Sequence, residues 1–245
     1  MPYPLAHPAA MLPLRRYCPK GLNFAALVIG SLLPDLGYAF GSRRASLLSH
    51  GFEGSLGFCL PAGLVLVAGL YLLRRRVVCM LPEPYRNALL PLCQRPSGPP
   101  ILIVASLLFG IWSHQLFDSM THEDGWLVGH LTFLRCSLPW FFGRSIKAFA
   151  LLYAVLTFAG VLWLALDYLG WLEGSLGHEG SKLARTKWIW SAALAGGTLV
   201  VAEASRLPCQ VVDDVPAAGA MMLLLALFIT GTATGMRGIR IRGHR

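Results

Sequence analysis

The sequence predicts an all-α fold: a polytopic membrane helix bundle of about six transmembrane helices preceded by a short N-terminal helix. Three observations predict it. Charged residues make up only 13% of the chain and apolar residues 55%, whereas a soluble domain carries roughly 25% charged residues. That leaves too little polar surface to coat a globule of 245 residues, so the solvent for much of the chain is lipid. Next, apolar runs of spanning length recur along the chain. Finally, Lys and Arg sit in short clusters between those runs, the arrangement of topology signals. A net charge of +9 spread in this way forms no continuous basic face, which argues against nucleic acid as a partner.

Taken in order, the elements are these. Pro8 to Arg16 can form a short helix, and Cys18-Pro19-Lys20-Gly21 reads as a turn. Six apolar segments follow at 22–40, 55–73, 101–118, 148–170, 188–204 and 217–235, each near the ~20 residues needed to cross the hydrocarbon. The runs are too long and too uniformly apolar for the alternation of a membrane barrel, which disfavours strands. No polar linker divides the chain, so 1–245 reads as one membrane domain, with residues 1–130 as a metal-site half and 131–245 as supporting helices and a basic tail.

The basic residues test this layout. Fifteen of the 21 Lys and Arg fall in one set of loops and six in the alternate set. By the positive-inside rule the richer side is cytoplasmic. The expectation is a multi-pass protein of the cell membrane, with both ends of the six-helix core inside and the loops at 41–54, 119–147 and 205–216 outside. Tyr168, Trp171, Trp188 and Trp190 fall near predicted interfaces, where amphipathic rings are favoured. Asp167 and Glu203 lie near predicted helix ends, where snorkelling accounts for them. The tail Arg237-Gly238-Ile239-Arg240-Ile241-Arg242 suits an anionic lipid surface.

Histidine carries the chemical signal, because ionisable groups in apolar segments are costly. In Ser113-His114-Gln115-Leu116-Phe117-Asp118-Ser119-Met120-Thr121-His122, the spacing His114, Asp118, His122 is i, i+4, i+8. Each step of four overshoots a full turn by about 40°, so all three share one helix face. Imidazole nitrogen with carboxylate oxygen suits zinc, manganese or iron better than calcium. His114 and His122 lie about 12 Å apart along the axis, so two ions, or one ion with Asp118 bridging, fit better than one ion on both rings. A polar stripe where the third helix leaves the membrane is the other reading of the same spacing.

Leu32-Leu33-Pro34-Asp35 predicts a bend or end in the first apolar segment, with Asp35 at the break. Ser49-His50-Gly51 adds a histidine in the following loop. Asp35, His50, Asp118 and His122 all reach the outer side under a topology derived from Lys and Arg alone. His7 joins them if the short N-terminal helix packs back against 22–34; otherwise it belongs to an exposed N-terminus. The six cysteines are scattered singly with no CxxC pair, which argues against a thiolate zinc site, and Cys59 reads as a small apolar residue within a helix.

Several stretches together resemble a bacterial membrane family, domain of unknown function 4184. They are Pro4-Leu5-Ala6-His7-Pro8-Ala9-Ala10, Ile29-Gly30-Ser31-Leu32-Leu33-Pro34-Asp35, Ser49-His50, and Ser113-His114 through Thr121-His122-Glu123-Asp124-Gly125-Trp126-Leu127-Val128. More distantly, the ordered His, Asp, His, then HxxxD pattern is similar to membrane-bound metal-dependent hydrolases and to the helical zinc-dependent phospholipase C group. That resemblance implies metal ligation by His7, Asp35, His50, His114, Asp118 and His122. A hydrolytic site would draw its general base or imidazole-orienting partner from Glu53, Glu123 and Asp124. Arg43 and Arg44 would attract an anionic head group, while His130, His178 and His244 lie outside the pattern. The functional expectation is a membrane-embedded metal-dependent hydrolase acting on a phosphoester or lipid-like substrate near one bilayer surface. The alternative is a non-catalytic membrane protein, a metal-binding or transport component, or one whose His/Asp cluster serves helix packing.

Overall fold

The computed structural model describes residues 4–18, 20–39, 49–81, 85–139 and 145–176. These residues are mostly helical. Three of their helices are long and apolar enough to cross a membrane: Phe52–Cys79, Pro100–Thr121 and Ala148–Trp171. They correspond to the second, third and fourth expected segments. The fifth and sixth, at 188–204 and 217–235, lie outside the described residues, as do Arg43, Arg44, Trp188, Trp190, Glu203, His178, His244 and the basic tail.

The first expected segment is not one helix. It divides into α1 (Phe24–Gly30) and α2 (Leu33–Ala39), seven residues each, with a turn at Ser31 and Leu32. Pro34 is the physical reason. Its ring cannot sit inside a continuing helix, but it is tolerated in a first turn, where the missing amide would have no partner. Asn23 starts α1 firmly. Its Oδ1 accepts from the Ala26 amide at 2.9 Å, while its Nδ2 donates to Tyr71 Oη at 2.9 Å and to the Ser97 carbonyl at 2.7 Å.

The N-terminal segment is likewise a helix of a different kind from the one expected over Pro8 to Arg16. Pro4–Tyr17 is a 3-10 helix. Pro8 and Pro13 lie inside it, and each removes an amide that α-type bonding would use. This segment packs back against α1, as the hairpin reading required, and against the last long helix.

Helix α3 (Phe52–Cys79) contains one π-turn, Ser55–Cys59. Helix α4 (Pro100–Thr121) crosses α1 at backbone contact. A Cβ on Gly30 would strike the Leu107 carbonyl, and one on Gly110 would strike Leu27 and Ser31 backbone atoms. Small residues at a crossing let two helices approach this closely. Around it sit the fully buried Leu27, Val28, Leu33, Leu107 and Ile111, with Met11 from the N-terminal segment.

Helix α5 (Ala148–Leu176) lies against the N-terminal segment, with Gly160 facing Ala6. Asp167 on α5 does not merely snorkel. Both its carboxylate oxygens accept from Arg15, at 2.8 and 2.5 Å, an ion pair joining positions 152 apart. The all-α expectation also misses a small feature. In the 119–147 loop, β1 (Ser137–Pro139) pairs antiparallel with β2 (Ser145–Lys147).

Candidate metal centre

Four side chains from three stretches of sequence converge at one end of this bundle. Asp35 lies on α2, just after the break. His50 sits in the turn before α3, and His114 and Asp118 lie one turn apart on the inner face of α4. One donor atom from each lies within 4.8 Å of every other. His114 Nε2 is 3.2 Å from Asp118 Oδ2 and 3.6 Å from Asp35 Oδ1. His50 Nε2 is 3.4 Å from Asp118 Oδ2 and 3.7 Å from Asp35 Oδ1.

These separations bear on which kind of polar cluster this is. Hydrogen bonds from imidazole to carboxylate run at about 2.7–2.9 Å. Donors that share a tetrahedral divalent ion, with bonds of about 2.0–2.1 Å, stand about 3.3–3.4 Å apart. The four His–Asp separations, at 3.2–3.7 Å, lie nearer the second case, and all four donor atoms fall within 4.8 Å of one another. The burial agrees. Asp35 and His114 side chains are 2% and 0% exposed, and both Asp35 oxygens, both Asp118 oxygens and His114 Nε2 are enclosed without a hydrogen-bond partner. Two enclosed carboxylates carry a double negative charge that burial strongly penalises unless a metal ion or a protonated imidazole balances it. The group therefore fits a divalent cation.

The surrounding bonds orient the rings for this. The Ser31 backbone carbonyl is 2.8 Å from His114 Nδ1. A carbonyl only accepts, so Nδ1 carries a hydrogen, and in the neutral ring Nε2 then presents its lone pair to the cluster. Ser31 can make this bond because α1 ends there and because the two glycines let the helices touch. His50 Nδ1 lies 3.2 Å from Ser49 Oγ, whose own hydrogen goes to the Pro34 carbonyl at 2.7 Å.

The structure treats the remaining expected ligands differently. His7 is 1% exposed and reaches the cluster from the N-terminal 3-10 helix. Its Nε2 lies 3.4 Å from Asp118 Oδ1, the oxygen turned away from His50 and His114, and its ring stacks on His114 at 3.8 Å. His122, half-buried, ends α4. Its Nδ1 donates to the Asp118 backbone carbonyl at 3.0 Å, and it stands outside the group of four. Burial lowers its pKa, which favours the neutral ring. Glu53, Glu123 and Asp124 are exposed, and none belongs to the group of four. His130 stacks on Trp126 and bonds its carbonyl in an exposed turn. Sequence reasoning missed Ser31, Ser49 and Gln115. Gln115 stands beside His114 in the motif, and its adjacency to a candidate ligand was the only available signal.

No curated protein and no solved structure matches the chain. The sequence model described as Domain of unknown function (DUF4184) matches residues 1–240, and the chain belongs to that family.

Proposed function

We propose that this protein is a membrane-embedded, metal-dependent hydrolase acting on a phosphoester or lipid-like substrate near one bilayer surface. The observation that carries this reading is the enclosed Asp35, His50, His114, Asp118 group with its 3.2–3.7 Å edges. Its nitrogen and oxygen donors suit zinc, with manganese or iron as alternatives. A divalent cation there supplies Lewis acidity to a phosphoryl oxygen and an acidified water near neutral pH. The chain's own residues do the rest. Asp35, His50, His114 and Asp118 hold the ion, and the two carboxylates balance its charge. His7 lies at the other Asp118 oxygen and would help to orient that carboxylate, and His122 lies one turn beyond. The candidate bases Glu53, Glu123 and Asp124 are exposed and lie outside the group of four.

Depth supports a lipid-like substrate. Asp118 lies about 4.5 Å along the axis from the end of α4 at Thr121, and His114 about 10 Å, so the site sits near one end of a helix long and apolar enough to cross a membrane. An exposed aromatic stack, Phe52 with Trp112 at 6.2 Å, is built on α3 and α4, the two helices beside the His50 turn. Under the positive-inside rule this end faces outward from the cell membrane. One observation favours the non-catalytic alternative: only His50, at 22%, is appreciably exposed among the four, as for an ion that serves packing.

Metal analysis of detergent-purified protein, together with head-group release from phospholipid vesicles, separates the readings. Stoichiometric zinc and hydrolysis, both lost in Asp118→Ala and His114→Ala, support the hydrolase. Metal without hydrolysis of any phospholipid or phosphodiester returns the site to a structural ion. Wild-type protein that retains no metal overturns both.

A further inference from the structure

His50 is the one member of the group of four that lies in a turn and not within a helix. It lies in a turn before α3 and is the most exposed of the four, whereas His114 and Asp118 are fixed on a long helix. Two side chains outside the ligand set converge on that turn. The Ser49 hydroxyl donates to the Pro34 carbonyl at 2.7 Å, one residue before Asp35. With that hydrogen directed to Pro34, its oxygen is placed to accept from His50 Nδ1, 3.2 Å away. In the neutral ring this puts the lone pair on Nε2, the atom facing both carboxylates.

Gln115 grips the same turn from α4. Its Nε2 lies 2.9 Å from Ser55 Oγ in the π-turn and 3.4 and 3.3 Å from the Ser49 and Gly51 carbonyls. Ser55 Oγ donates in turn to the Gly51 carbonyl at 3.1 Å. The amide therefore ties the His50 turn to the residue next to His114, while Ser49 ties it to the residue before Asp35.

We propose that Ser49 and Gln115 are positioning residues for the centre: Ser49 sets the His50 tautomer, and Gln115 holds the His50 turn against α4. This rests on the metal-centre reading above. Partners of this kind hold an imidazole at the angle and protonation its ion needs, and losing one costs about 10–100-fold in affinity.

The test is cobalt(II) binding to the detergent-solubilised full chain, followed by visible absorption and by the thermal midpoint of the metal-free protein. Ser49→Ala is expected to weaken cobalt binding about 10–100-fold and to alter the intensity and position of the cobalt bands. Its metal-free midpoint should stay near that of wild type. Ser49→Thr, which keeps the hydroxyl, should restore both affinity and spectrum. Gln115→Met should weaken binding in the same direction, and it carries the test alone if Ser49→Ala does not fold. Wild-type affinity and spectrum in Ser49→Ala, or in Gln115→Met where that variant stands alone, overturn the positioning roles while leaving the centre intact. Wild-type protein that takes up no cobalt overturns the centre and this proposal together.

Discussion

Asp118 is the residue on which the cluster turns. One oxygen faces His7 at 3.4 Å; the other faces His114 at 3.2 Å and His50 at 3.4 Å. Three imidazoles thus look at one carboxylate, whereas Asp35 faces two, His50 and His114. Asp118→Asn keeps the shape and removes the charge. It is expected to weaken zinc binding by about 100-fold or more, beyond the range for an outer partner, and by more than His7→Ala does. Competition with a chelator of known affinity measures both, and a larger loss in His7→Ala would reverse the ranking. Away from the cluster, burial pushes the Cys18 thiol up to about 11 from its usual 9.0. The nucleophile is the thiolate, so at pH 8 Cys18 should react with a neutral maleimide far more slowly than a free thiol. Its rate should climb until about pH 11, where burial ceases to hold the proton. Peptide mapping by mass spectrometry follows this, and a plateau near pH 9 would contradict it.

At the scale of elements, the Arg15–Asp167 pair is what fastens the N-terminal 3-10 helix to α5. With side chains 25% and 12% exposed, it is screened only in part. Removing one partner leaves an uncompensated charge, so Asp167→Leu alone should lower unfolding stability by about 1–3 kcal/mol. Arg15→Met with Asp167→Leu should recover most of that loss, as a double-mutant cycle in detergent melts would show. This pair also marks the limit of what the sequence discloses. Asp167 alone looks like a carboxylate at a helix end, and nothing local points 152 residues back to Arg15. The shared face of His114 and Asp118 was legible, because i, i+4 spacing on an apolar helix fixes it; the position of His122, expected on that same face, was not, because the helix ends at Thr121. Asp35 was legible because Pro34 announces a break. The hydrogen bonds that orient the rings were not, since the Ser31 carbonyl belongs to the backbone and the Ser49 hydroxyl finds its acceptor only once the turns meet. The 3-10 geometry of Pro4–Tyr17 was in principle readable from Pro8 and Pro13, which deny it α-type bonds.

For the whole molecule, among the described residues, Asp35 on α2, the His50 turn that leads into α3, and His114 and Asp118 on α4 lie together, while the Arg-rich end of α3 is at the other end of that helix. Two native cysteines report on the orientation inferred from charge. Cys79, at the end of α3, and Cys136, in the segment after α4, are both exposed. In single-cysteine variants on intact cells, an impermeant maleimide should label Cys136 at once and Cys79 only after permeabilisation. The reverse pattern would turn the protein over in its membrane. The N-terminal 3-10 helix has one further consequence. It lays His7 over His114, whose side chain has no exposure at all, so the cluster is closed on that side and reaches water past His50, at 22% the most exposed of the four. Ion, water and substrate would therefore come and go along the His50 side.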